Sequence, residues 1–166
     1  MKLVTARLEL VLLDPAARDA WFDGDAARLE ALTGARTTGK GDVPALFSDH
    51  AAQVRSMPGP GPWLFVLCDT REPVGAGGVA EADDKGAAMI GYAVLPRHEK
   101  KGYATEAARA LCDWALDRAG TKTIVGTVPP GNAGSVRVLE KLGFHATGRT
   151  MDDEVGEVLV FERFGA

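Results

Sequence analysis

The sequence predicts a single α/β domain, residues 1–166, built on a mixed β-sheet. Two observations carry that reading. From about residue 87 onward the chain runs strand, helix, strand, helix, strand, strand, an order that implies at least one parallel crossover. Before it, short apolar runs bounded by Pro, Gly and Asp read as strands joined by turns. With 166 residues the chain is long enough to bury a real core.

Taken in order, "LVTARLELVLL" alternates apolar and polar residues and reads as a first strand, ended by Asp14-Pro15. "PAARDAWFDGDAARLEALT" predicts two short helices broken at Gly24, and "GARTTGKGDVP" a loop. "ALFSDHAAQVRSM" predicts a short helix before "PGPGP". Three strands follow, "WLFVLCDT", "VGAGGVAEA" and "AAMIGYAVL". Helix 103–119, strand "KTIVGTV", helix 133–142 and two last strands, "FHATGRTM" and "EVLVFERF", complete the chain.

Composition removes several functions. The net charge of −4 argues against a general nucleic-acid binder. No apolar run reaches the length of a membrane span, so no membrane partner is expected. The N-terminus alternates and does not read as a signal peptide. Cys68 and Cys112 lie alone in apolar segments, as buried thiols of a reducing, cytoplasmic compartment would. His50, His98 and His145 share no ligand spacing with them, so no metal site is expected.

Two phosphate-binding look-alikes fail on context. "GARTTGKG", Gly34 to Gly41, lacks the hydroxyl residue that ends a P-loop, follows a helical segment where a strand is needed, and leads into "DVP", which does not begin a helix. "GAGGVA", Gly75 to Ala80, fits a dinucleotide pattern but lies within a strand with no helix after it. Its glycines mark a bulge or a close approach of another backbone.

"HEKKGYATEAARA" is different. Helix 103–119 carries Ala104, Ala107, Ala108, Leu111, Ala115 and Leu116 on one stripe. Its first amides, on Lys101, Gly102, Tyr103 and Ala104, have no Ser, Thr, Asp or Asn ahead to cap them. An uncapped helix start carries a partial positive charge, Gly102 lets an anion reach the backbone, and Lys100 and Lys101 add full charges. An exposed basic turn satisfied by water would explain the same residues. In "NAGSVRVLEKLGF", Asn132 suits an N-cap, Ser135 the third helical position, Gly143 a left-handed C-cap, and Phe144 folds back on Leu139.

"IGYAVLPRHEKKGYATEAARAL" resembles motif A of the GNAT superfamily of N-acetyltransferases, with its [QR]-x-x-G-x-[GA] core, and "NAGSVRVLEKLGF" resembles motif B. "TARLEL" and "KGYATEA" look most like the Rim-type branch, which includes enzymes acetylating ribosomal-protein N-termini. The resemblance spans about residues 88–164. One departure is Glu99, where the family has Gln or Arg; a carboxylate there is expected to face solvent, with Lys100 or Lys101 supplying positive charge.

The resemblance implies a GNAT-like fold, a mostly antiparallel sheet splayed between two parallel strands, and acetyl-CoA as cosubstrate without metal. It implies a coenzyme site at Glu99, Lys100, Lys101, Gly102, Tyr103, Ala104 and Thr105, with Asn132 and Ser135 at its far side. Backbone groups of Ala93, Val94 and Leu95 would bond the pantetheine arm and polarise the thioester carbonyl. Ser135, or Asn132 through water, would protonate the leaving thiolate. Many relatives have a Glu before "IGY"; this chain has Met89, and Glu81 is the substitute base, or else a solvated turn residue beside Asp83 and Asp84.

The implied reaction is transfer of an acetyl group to a primary amine, of a protein N-terminus or a small molecule, by a monomer or homodimer. A coenzyme-binding module without turnover is the alternative. The acidic stretch "MDDEVGE" is a solvated hairpin or an attractor of a cationic acceptor, and Trp21 and Phe22 read as core.

Overall fold

The computed structural model describes residues 1–37 and 59–166. Its described residues form an eight-stranded mixed sheet and four α-helices. The strands are β1 (Lys2–Val4), β2 (Leu8–Leu12), β3 (Trp63–Leu67), β4 (Pro73–Val79), β5 (Ala87–Val94), β6 (Thr123–Val128), β7 (His145–Asp152) and β8 (Gly156–Phe164). The helices are α1 (Pro15–Phe22), α2 (Ala26–Thr33), α3 (Tyr103–Leu116) and α4 (Ala133–Lys141). The expected helix at 45–57 and most of the glycine-rich loop before it lie outside the described residues.

Strand order is β1-β2-β3-β4-β5-β6-β8-β7, and β5–β6 is the parallel pair. These two strands are paired only between Ala87–Met89 and Thr123–Val125, yet β5 continues to Val94 and β6 to Val128. They therefore splay toward their C-terminal ends. The antiparallel partners hold the rest of the gap's walls: β4 pairs along β5 from Ile90 to Val94, and β8 along all of β6.

Each face of the sheet is covered by a helix pair. Leu8, Leu10, Trp63, Phe65, Ile90 and Ile124 pack with Ala107 and Leu111 of α3 and Leu139 of α4. Val11, Leu64, Val66 and Ala76 pack with Ala17, Trp21 and Leu29 of α1 and α2. Trp21 is core, as its sequence context predicts. The helix starts are set locally: the side chains of Asp14 and Asp25 accept from the amides of Ala17 and Arg28, and Gly34 closes α2 in the left-handed conformation.

Three expectations change. "LVTARLELVLL" is not one strand but an antiparallel hairpin, β1 and β2, turning at Thr5–Arg7. The turn contains no Gly or Pro; Thr5 makes it by bonding Leu8 through both its amide and its hydroxyl, and side-chain alternation runs on across the reversal. Helix α3 stops at Leu116, not residue 119, with Gly120 left-handed in the turn that follows. Cys68 is exposed while Cys112 is buried. The apolar run "WLFVLC" outlasts the strand by one residue, and Cys68 falls in the turn.

Candidate active site

The turn between β5 and α3 stands at the mouth of the splay. A 3-10 turn, Pro96–His98, is followed by Glu99, Lys100 with φ of 60°, Lys101, and Gly102 with φ of 83°. Two left-handed residues two positions apart bring the chain back over the start of α3, and at Gly102 a side chain would be strained. Among the described residues no side chain caps α3. Its first-turn amides, on Tyr103, Ala104 and Thr105, point out of the helix end with the positive end of its dipole. Glu99, Lys100 and Lys101 are exposed around them.

The turn is anchored on both sides. His98 is buried, and its Nε2 donates to Glu72 Oε1 at 3.1 Å, an oxygen that also accepts from Arg97 Nη2 at 2.9 Å. Its ring meets Tyr103 edge-on, centroids 6.2 Å apart. On the other side Arg7 stacks over Tyr103 with its guanidinium carbon 4.6 Å from the ring centroid, and donates to Lys101 O at 2.8 Å.

On β5, backbone direction separates the three residues expected to hold the pantetheine arm. Met89 O and Leu95 N both bond β4, to Ala80 N and Val74 O at 2.8 Å. Ala93 shares their parity, so its peptide groups also turn toward β4, and its carbonyl abuts Gly75. Ala93 and Leu95 are therefore not free to bond a ligand in the gap through these groups. Val94 has the opposite parity, as has Tyr92, and these two turn N–H and C=O toward the splay. Nothing in the residue pattern of β5 marks Tyr92 out; only the pairing with β4 does.

Across the gap, Asn132 Oδ1 accepts from Ser135 N at 3.2 Å, capping α4. Gly126 lets that helix come close: a Cβ there would stand 3.2 Å from both Leu139 methyls. Ser135 is half-buried, with its side chain beside the Tyr92 hydroxyl. Burial pushes the Tyr92 phenol up to about 12, with the nearby Cys112 thiol adding to the rise and Ser135 opposing it. The phenol is thus a neutral group in the pH range of ordinary catalysis. Ser135, Asn132, Tyr92 and Val94 belong to one gap.

Glu81 does not join them. It follows β4 at the level of Ala88, where β5 and β6 are still paired, about 20 Å along the strands from Val94. It is exposed beside a cavity of about 150 Å³ that Trp114 and Arg118, at the far end of α3, also line. The sequence could not reveal this because β4 runs antiparallel to β5, so its C-terminal end lies at the wrong end of the site. Among the described residues no group of three or more His, Cys, Asp or Glu is placed to hold a metal ion. No helix among them is long and apolar enough to cross a membrane.

The family model described as the acetyltransferase (GNAT) domain matches residues 7–145. The N-acetyltransferase YjdG of Bacillus subtilis (strain 168) is 41% identical over 83 residues, 49% of this chain and 49% of that protein. The chain thus spans about half the length of that relative. An acetyltransferase structure from Agrobacterium tumefaciens str. C58 is 27% identical with a TM-score of 0.63, covering 98% of this chain and 94% of that one. RimL, the ribosomal L7/L12 alpha-N-protein acetyltransferase in complex with coenzyme A, shares the fold at 17% identity and a TM-score of 0.65, over 98% of this chain and 97% of that one. The match of the domain model runs through β5, the turn after it, α3, β6 and α4, the elements that build this site, and the chain belongs to the GNAT acetyltransferase family.

Proposed function

We propose that this protein is an acetyl-CoA-dependent N-acetyltransferase that moves an acetyl group to a primary amine by direct attack. The observation that carries the reading is the uncapped start of α3, set behind the Lys100–Gly102 turn at the mouth of the β5–β6 splay. The diphosphate of the coenzyme rests on the amides of Gly102 to Thr105, with Lys100 and Lys101 beside it. The pantetheine arm follows the free edge of β5, bonding Tyr92 and Val94, and the Val94 end polarises the thioester carbonyl.

The acceptor nitrogen attacks the carbonyl carbon, the C–S bond breaks, and the departing thiolate takes a proton from Ser135, which regains one from solvent, or from water held by Asn132. The attacking amine sheds its own proton to solvent in this reading, since the candidate base Glu81 lies at the paired end of β5 and β6, away from Ser135. That favours a weakly basic acceptor. Deprotonating a lysine side chain of pKa ~10.4 costs about 4.6 kcal/mol at pH 7, whereas an α-amine at ~7.7–8.0 costs about 1–1.4 kcal/mol. A peptide N-terminus, the group acetylated by the structural neighbour RimL, is accordingly the acceptor class we favour over lysine side chains.

One observation favours a second reading. Met89, where many relatives carry Glu, is an exposed apolar residue at the base of the splay. A coenzyme-binding module without turnover would need no base. Thiol release from acetyl-CoA, measured across a panel of peptides and small amines, decides between them: release with a peptide N-terminus supports the transferase, and release with none supports the module. Acetylation of lysine side chains in preference to N-termini would overturn the acceptor assignment. Absence of coenzyme A binding in calorimetry would overturn both readings.

A further inference from the structure

We propose that Arg7 is a positioning residue for the donor's diphosphate, acting through the turn between Lys100 and Gly102; the proposal rests on the coenzyme reading above. Arg7 lies in the β1–β2 turn, far from α3 in sequence, yet most of its polar atoms reach it. Its amide donates to Glu106 Oε1 at 2.8 Å and its Nε to Glu106 Oε2 at 2.7 Å. Thr5 Oγ1 donates to Oε1 of the same carboxylate at 2.5 Å. Its Nη1 donates to the Lys101 carbonyl at 2.8 Å, and its Nη2 lies so near Gly102 that a Cβ there would be 3.2 Å away.

The bond to Lys101 O matters because of the peptide unit it fixes. A trans peptide is planar, so the carbonyl of Lys101 and the N–H of Gly102 point in opposite directions. With the carbonyl held against Arg7, the Gly102 N–H points away from it, out of the turn. Gly102 can rotate freely when untethered, since it lacks a Cβ, and an amide that must be ordered on binding contributes less affinity than one ordered beforehand. The same guanidinium answers the carboxylate of Glu106, which sits in the first turn of α3. A carboxylate there suits the helix dipole but repels an incoming phosphate; paired with Arg7 it does the first without the second. A planar fork is needed to reach both acceptors, and lysine has none.

The test compares wild type, Arg7→Ala and Arg7→Lys in binding coenzyme A by calorimetry and pantetheine, which lacks the diphosphate, by ligand-observed NMR. Arg7→Ala is expected to weaken coenzyme A about tenfold and Arg7→Lys about threefold, with pantetheine unchanged in both. Adding Glu106→Gln to Arg7→Ala should recover part of the coenzyme affinity, because it removes the unanswered charge. Equal weakening of both ligands would make Arg7 a mere staple of the hairpin, and unchanged coenzyme affinity in Arg7→Ala would remove any role; either overturns the proposal and leaves the function standing. A wild-type protein that binds no coenzyme A overturns both. Arg7→Lys keeps the charge and the aliphatic packing, so it reports even if Arg7→Ala folds poorly.

Discussion

Glu72 and His98 meet at 3.1 Å, joining the residue that leads into β4 to the buried end of the turn that leads into α3. This contact, with the bond from Arg7 to Lys101 O on the other side, holds the turn against the sheet. Hydrogen bonding from Arg97 holds the Glu72 carboxyl below its ordinary 4.5, and His98 lowers it further, against the opposing effect of partial burial. A depressed folded value means a stabilising contribution that is complete above about pH 4.5 and lost as pH falls through the folded pKa. Glu72→Gln is expected to cost about 1–2 kcal/mol at pH 7, the scale of a lost charged hydrogen bond. Urea denaturation at pH 7 and at pH 3.5 checks it: the gap between wild type and variant should narrow at the lower pH.

A second prediction concerns how α4 reaches the sheet. Gly126 faces Leu139, and an added Cβ would stand 3.2 Å from both of its methyls, closer than the packed core can absorb without movement. Gly126→Ala should cost about 1–3 kcal/mol by overpacking, and Leu139→Ala about 2–5 kcal/mol by leaving a cavity. The double variant should be less destabilised than the sum of the two, since the new methyl occupies space that the leucine vacates. A double-mutant cycle in thermal denaturation reads the coupling, expected at about 0.5–2 kcal/mol. Strict additivity would mean that α4 does not pack where described.

The two cysteines predict a labelling pattern. Cys68 is exposed in the turn after β3, whereas Cys112 is buried within α3, where burial pushes its thiol up to about 11. Only a thiolate reacts readily with a disulfide reagent. At pH 8 the native protein should release one equivalent of chromophore quickly from Ellman's reagent, and a second only in denaturant. Cys68→Ser should abolish the fast phase and Cys112→Ser should leave it intact.

What the sequence reveals here is what depends on near neighbours. Asn132 as a cap, Gly143 left-handed, the amide of Phe144 bonding Leu139 O and the uncapped start of α3 are all matters of a few adjacent residues, and each is found. The parallel pair is implied by the strand and helix order, and the splay of its ends by the resemblance of the two motifs to the GNAT family. Three features depend on register or topology instead. Whether Ala93 or Val94 turns its amide into the gap is fixed by pairing with β4, which no residue pattern on β5 encodes. Glu81 lies at the wrong end because β4 runs antiparallel to β5. Arg7 meets Glu106 across 99 positions, so only the folded chain makes "TAR" part of the site.

Glu99 supplies the last prediction, because it departs from the family pattern beside the turn itself. It is exposed, so its carboxylate is screened by water and counterions, and repulsion of a bound phosphate is damped over about 8 Å at physiological salt. Glu99→Gln removes that residual repulsion and leaves the backbone geometry alone. Coenzyme A should bind the variant as tightly as wild type or up to about threefold more tightly, with the gain shrinking at 0.5 M salt as an exposed charge effect must. Calorimetry at two salt concentrations measures both. A clear loss of affinity would mean that the Glu99 side chain helps to hold the turn and does not merely border it.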